Sequence, residues 1–128
     1  MAVNPEEWLR QADYDMETAE AMFTSNRSIY AVFMCHLAIE KALKGLFQKK
    51  QGELPPKIHN LMYFIEKLNL HIPPQFENFV ISLNGMDLHA RYPEDLSRIL
   101  KELQQDETKK MLVKGGELIA WIKNEFSK

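Results

Sequence analysis

The apolar positions of the chain recur at helical steps from one end to the other, the spacing that gathers them on one side of an α-helix. Asn4, Pro5 and Glu7 read as a helix cap, a first-turn proline and a capping acid, and Trp8, Leu9, Ala12, Met16, Ala19 and Phe23 then share a face up to about Thr24. The polar break Ser25-Asn26-Arg27-Ser28 separates this helix from a second, which from Ile29 to Leu46 is apolar on nearly every side, with Cys35, Ala38 and Ala42 as small members. A helix that is apolar all round is a buried one. Its end is marked by Gln48-Lys49-Lys50-Gln51-Gly52, cations followed by glycine, and Pro55-Pro56 forbids continuation.

A third, shorter helix is predicted from about Asn60 to Leu68, carrying Leu61, Phe64, Ile65 and Leu68, with Pro73-Pro74 as the next stop. A fourth carries Phe76, Phe79, Val80 and Leu83 and fades around Met86 to His89, before Arg91-Tyr92-Pro93. Residues 94–104 fit a helix through Leu96, Ile99, Leu100 and Leu103, but a loop packed on the bundle would use the same residues. The last helix, Gln105 to Phe126, stripes Leu112, Gly115, Leu118, Ile119, Ile122 and Phe126 along one side, with Gly115-Gly116 permitting close packing or a local break. No strand alternation appears. The expected fold is all-α, an up-and-down antiparallel bundle of about five helices forming one domain over residues 1–128. The second helix is too apolar for one neighbour, so either the other helices surround it or a second copy of the chain covers part of it.

Composition narrows the function classes. A hydrophobic content of 45% in 128 residues fills one core, and a formal net charge of −2 gives no uniform field for polyanions or acidic membranes, so any nucleic-acid contact must be local. The single Cys35 lies within an apolar run, which suits a reduced compartment, and no stretch has the length of a membrane span or the form of a signal peptide. A cytoplasmic protein with no membrane association is expected. There is no glycine-rich phosphate loop, paired-cysteine spacing, H-E-x-x-H or G-x-S-x-G, so no cofactor is implied. His59, His71 and His89 stand too far apart in sequence to mark a metal site.

Three clusters carry candidate chemistry. In the second helix, His36, Glu40 and Lys44 follow one another a turn apart, with Lys41 beside them. Glu40 could orient or accept while Lys41 and Lys44 form a local cationic site for phosphate; alternatively Glu40 and Lys44 are a helix-surface pair and His36 a boundary residue. In Lys57-Ile58-His59-Asn60-Leu61, His59 or Asn60 stands at the start of the third helix, where capping explains either. In Leu88-His89-Ala90-Arg91-Tyr92-Pro93, Arg91 offers the planar fork that suits phosphate and Tyr92 a hydroxyl or stacking face, although a helix end stopped by proline would look the same.

Taken in order, Asp13 to Ala19, Tyr30, Ala38-x-Glu40-Lys41-Ala42-x-Lys44, His59-Asn60-Leu61 and Ala90-Arg91-Tyr92-Pro93 make the chain resemble the HEPN family, the higher-eukaryote and prokaryote nucleotide-binding domain, over Trp8 to about Phe126. The resemblance implies a helical bundle that dimerises, often beside a small nucleotidyltransferase, toxin-antitoxin pairs included. Members with an arginine followed four to six residues later by a histidine act as metal-independent ribonucleases. Here none of Arg10, Arg27, Arg91 and Arg98 has a histidine at that spacing, and an arginine alone stays protonated and cannot serve as the base. The resulting expectation is a non-catalytic homodimer that binds nucleotide or RNA, or partners a nucleotidyltransferase. Its ligand-binding residues would be Arg91, Tyr92, Lys41, Lys44, Glu40 and His59. Two alternatives stand beside it: a ribonuclease toxin using Arg91 and an unorthodox histidine such as His89, and a structural dimerisation module without ligand.

Overall fold

The computed structural model describes residues 4–86 and 96–128. Among these, six helices appear in order: α1 (Pro5–Thr24), α2 (Ser28–Gln51), α3 (Leu61–Lys67), α4 (Pro74–Gly85), α5 (Leu96–Glu102) and α6 (Gln105–Phe126). The stretch that fitted either helix or loop is thus partly the helix α5, bringing the number to six where the pattern suggested about five. The limits follow local chemistry. Asn4 accepts from the Glu6 amide through its side chain, with Pro5 in the first turn, and Gly52 closes α2 at φ 74, a left-handed position that favours glycine. Asn26, at φ 64, reverses the chain between α1 and α2.

Helix α2 runs through the centre and touches all five other helices, which bury most of its apolar residues, while Tyr30 stays exposed. Ala31, Cys35, Ala38, Ile39, Ala42 and Leu46 are fully buried along it. Helices α1 and α2 form the most extensive pair, and α6 lies against both. Two glycines let helices approach closely. A Cβ on Gly45 of α2 would stand 2.9 Å from Trp8 Cβ and 3.2 Å from the Pro5 carbonyl oxygen in α1, and one on Gly115 of α6 would overlap Cys35 Sγ. The neighbouring Gly116 has open space where a side chain would go.

Helices α3 and α4 close over α2 through Leu61, Phe64, Phe76, Val80 and Leu83, and Phe64 meets Phe47 edge-on with ring centroids 5.9 Å apart. Their junction is held by two asparagines. Asn60 caps α3 by accepting from the Met62 amide, Asn84 donates to Asn60 Oδ1 at 2.9 Å, and Asn84 Oδ1 accepts from the Leu61 amide at 2.9 Å. Among the described residues no helix is long and apolar enough to cross a membrane.

Candidate functional site

The largest polar assembly in the described core is centred on Glu40, whose side chain is 2% exposed in the middle of α2. Lys44 Nζ, one turn on, lies 2.8 Å from Glu40 Oε2. His59 Nδ1, arriving from the α2–α3 connection, lies 3.1 and 3.2 Å from the two carboxylate oxygens, and His36 Nδ1 comes to 3.9 Å of Oε1. A buried carboxylate costs several kcal/mol of desolvation unless it is paired and hydrogen-bonded, and here an ammonium and an imidazole supply both. The reading of Glu40 and Lys44 as a helix-surface pair, with His36 at a boundary, is therefore corrected. His36 is 1% exposed.

The cap at the start of α3 is Asn60, leaving His59 to turn inward to Glu40. The His59 side chain is 43% exposed, so the network runs from the core out to the surface.

Two further residues join this corner. Trp8 Nε1 donates to Gln48 Oε1 at 2.8 Å, which fixes the indole of α1 against α2, and Lys44 Nζ sits 6.0 Å from the Trp8 ring centroid and 5.8 Å from that of Phe64. Trp8 was expected only as an apolar face residue. Its partner was hinted at by Gly45, the small residue that makes room for it. Lys41 faces elsewhere: its Nζ pairs at 2.9 Å with Asp15, a carboxylate only 7% exposed on the buried side of α1. Lys41 and Lys44, expected as one cationic site for phosphate, thus each meet a separate carboxylate. Arg91, Tyr92 and His89 lie outside the described residues.

Burial also acts on Cys35, pushing its thiol up to about 12, so at neutral pH it is a protonated, unreactive core side chain. Two open grooves lie elsewhere. One, of about 580 Å³, follows α6 past Lys109, Lys110 and Lys114, and another, of about 570 Å³, lies between α1 and α6. In the second, Lys123 pairs with Asp13 at 2.7 Å.

The comparisons with known proteins agree with this architecture. The model of the HEPN domain matches residues 5–125. TT1696 from Thermus thermophilus is similar in structure, with a TM-score of 0.80 and 21% identity over 95% of this chain and 98% of that one. ST0689, an archaeal HEPN homologue, is similar with a TM-score of 0.73 and 19% identity over 98% of this chain and 99% of the other. At such identities the likeness speaks for the fold alone. No curated protein matches. The match across nearly all of the chain, joined to the helical bundle that its residues build, places it in the HEPN domain family.

Proposed function

We propose that the protein is a non-catalytic HEPN domain that binds a nucleotide or an RNA segment as a homodimer and works beside a nucleotidyltransferase. Arg91 and Tyr92 supply the phosphate and stacking contacts. The observation that carries the reading is where the histidines go. Cleavage of RNA without metal needs an imidazole at an arginine's side to take a proton from the ribose hydroxyl. No arginine in the sequence has a histidine four to six residues after it, and His36 and His59 both face Glu40. The chain keeps the planar, permanently charged side chain suited to gripping phosphate, and its sequence lacks the arginine-to-histidine spacing of the members that cut beside it.

The ion pairs favour a structural role for part of the expected site. Lys41 with Asp15 ties α2 to α1, and Lys44 with Glu40 stabilises α2 under α3. Neither lysine is then needed for ligand charge, which concentrates the binding task on Arg91.

The deciding experiment titrates AMP, ATP and a labelled single-stranded RNA into the purified protein by calorimetry and fluorescence anisotropy, alongside Arg91→Ala. Binding that Arg91→Ala abolishes at unchanged melting temperature supports the reading. Absence of binding to all three probes, or cleavage of the RNA in the presence of EDTA, overturns it, the second result in favour of a ribonuclease.

A further inference from the structure

We propose that two copies of the chain pair through the outer face of α6, antiparallel about a two-fold axis at Val113, so that Lys109 of each copy meets Glu117 of the other. This rests on the homodimer reading above and names the surface that reading leaves open.

The first support is an apolar residue left in water. Val113 is 56% exposed, although it lies near the middle of a helix whose stripe of Leu112, Leu118, Ile119 and Ile122 is buried. It stands between the two open grooves and lines both, the one along Lys109, Lys110 and Lys114 and the one that crosses Gly116 to Met16 and Glu20 of α1. Gly116 has open space where a side chain would go, and Ala120, one turn on, is exposed. The surface beside Val113 is thus shallow, and the side chains of another helix have room to settle there.

The second support is charge. Lys109 stands four residues before Val113 and Glu117 four residues after it, so the three follow one another along one face, each step about 6 Å along the axis. Among the described residues neither Lys109 nor Glu117 has an ion-pair partner, and Lys110 has only the exposed Glu107 at 3.5 Å. Glu20, on the α1 wall of the second groove, has none either.

The order of these residues selects the occupant. A two-fold contact requires a surface complementary to itself, and a cation, an apolar residue and an anion at equal steps are complementary to their own reverse. Antiparallel copies crossing at Val113 set valine on valine at the axis and form the Lys109 to Glu117 pair twice. Lys110, three residues before the axis, then comes over Gly116 of the other copy, three residues after it. Its stem fills the open space there, and its ammonium extends toward Glu20. A polyanion fits this face poorly, because Asp106, Glu117 and Glu20 stand among the lysines.

The test measures the mass of the full chain by sedimentation over a range of concentrations and salt. The native protein should form a dimer that weakens as salt rises. Lys109→Glu and Glu117→Lys should each weaken it by about tenfold or more, since each turns two attracting pairs into repelling ones, and the double variant carrying both should recover the native affinity. Circular dichroism checks that every variant keeps its helices. Val113→Cys, on the axis, should link the two copies by a disulfide under mild oxidation. Leu54→Cys, exposed elsewhere, should not, and the buried Cys35 takes no part. A dimer that both single charge variants leave intact and that Val113→Cys fails to link overturns the inference, while the homodimer reading survives. If the charge variants weaken binding of a labelled RNA and spare the dimer, the face belongs to RNA and the inference falls as well. A native protein that stays monomeric throughout removes the inference and the homodimer reading together.

Discussion

The closeness of α2 and α6 at Gly115 gives a sharp test of the packing. Gly115 and Gly116 are adjacent in one helix interior, so replacing either by alanine yields the same gain in helix propensity, about 1 kcal/mol. Their surroundings differ completely. A methyl on Gly116 enters open space, whereas one on Gly115 overlaps Cys35 Sγ, with Ile39 Cδ1 at 3.7 Å and Phe79 Cζ at 3.8 Å already in ordinary contact. Cys35 is fully buried, and its short side chain has one torsion with which to move aside. Overpacking a core by one methyl costs about 1–3 kcal/mol. Gly116→Ala should therefore stabilise by about 1 kcal/mol, while Gly115→Ala, after its propensity gain, should range from no net gain to a loss of about 2 kcal/mol. At a few degrees per kcal/mol the two melting temperatures should part clearly in calorimetry, and urea midpoints should agree. A double-mutant cycle isolates the cause. With Cys35→Ala in place the sulfur is gone, and Gly115→Ala should stabilise by about 1 kcal/mol like its neighbour, a coupling of about 1–3 kcal/mol. Equal stabilisation by both alanines, or a Gly115→Ala effect that Cys35→Ala leaves intact, would refute the close approach at this glycine.

Three further outcomes are expected. Glu40→Ala leaves Lys44 buried without its carboxylate and should cost about 3–5 kcal/mol in urea unfolding, whereas Glu40→Leu with Lys44→Met should regain most of that; equal losses would contradict the pairing. Because burial raises the Cys35 thiol to about 12, the unfolded chain releases that proton from about pH 9 while the fold retains it. Stability from this group is thus complete below about pH 9 and is lost as pH rises toward 12, by about 1 kcal/mol at pH 10, and a native protein whose stability change from pH 7 to 10 matches that of Cys35→Ala would disprove it. Asn60→Ala removes the α3 cap and the acceptor for Asn84 together and should lower stability by about 1–2 kcal/mol, with amide exchange rising first at Leu61 and Met62.

Much of the bundle could be read from the chain because caps and breakers are local chemistry. Asn4-Pro5 and Gly52 bound the first two helices by demands that involve only neighbouring residues, and α6 spans Gln105–Phe126 as its stripe implied. The site was legible only in its members. His36, Glu40 and Lys44 share a face by helical spacing, but whether that face meets water or α3 depends on how the connection after Gly52 returns, and periodicity carries no such information. The inward turn of His59, 19 residues from Glu40, is a product of that return. Asp15 offered a subtler signal. It shares the Ala12 and Ala19 side of α1, so an acid among buried alanines pointed to a cation opposite, which Lys41 provides. Arg91 and Tyr92 were singled out by motif and chemistry, with no periodic pattern to place them.

The sequence adjacency of α1 and α2 also bears on how the fold is reached. Their extensive pairing needs only a tight reversal at Asn26, a short loop whose closure costs little chain entropy. The pairing of α6 with α2 spans far more chain and should come later on the path. On a ribosome, a helical hairpin would emerge first with one flank of α2 bare, its Cys35 and Ile39 waiting for Gly115 to be synthesised. That interval is when the growing chain is most open to wrong association. Slow translation between α2 and α6 would prolong it, and a chaperone that shields a single apolar helix flank would shorten its consequences.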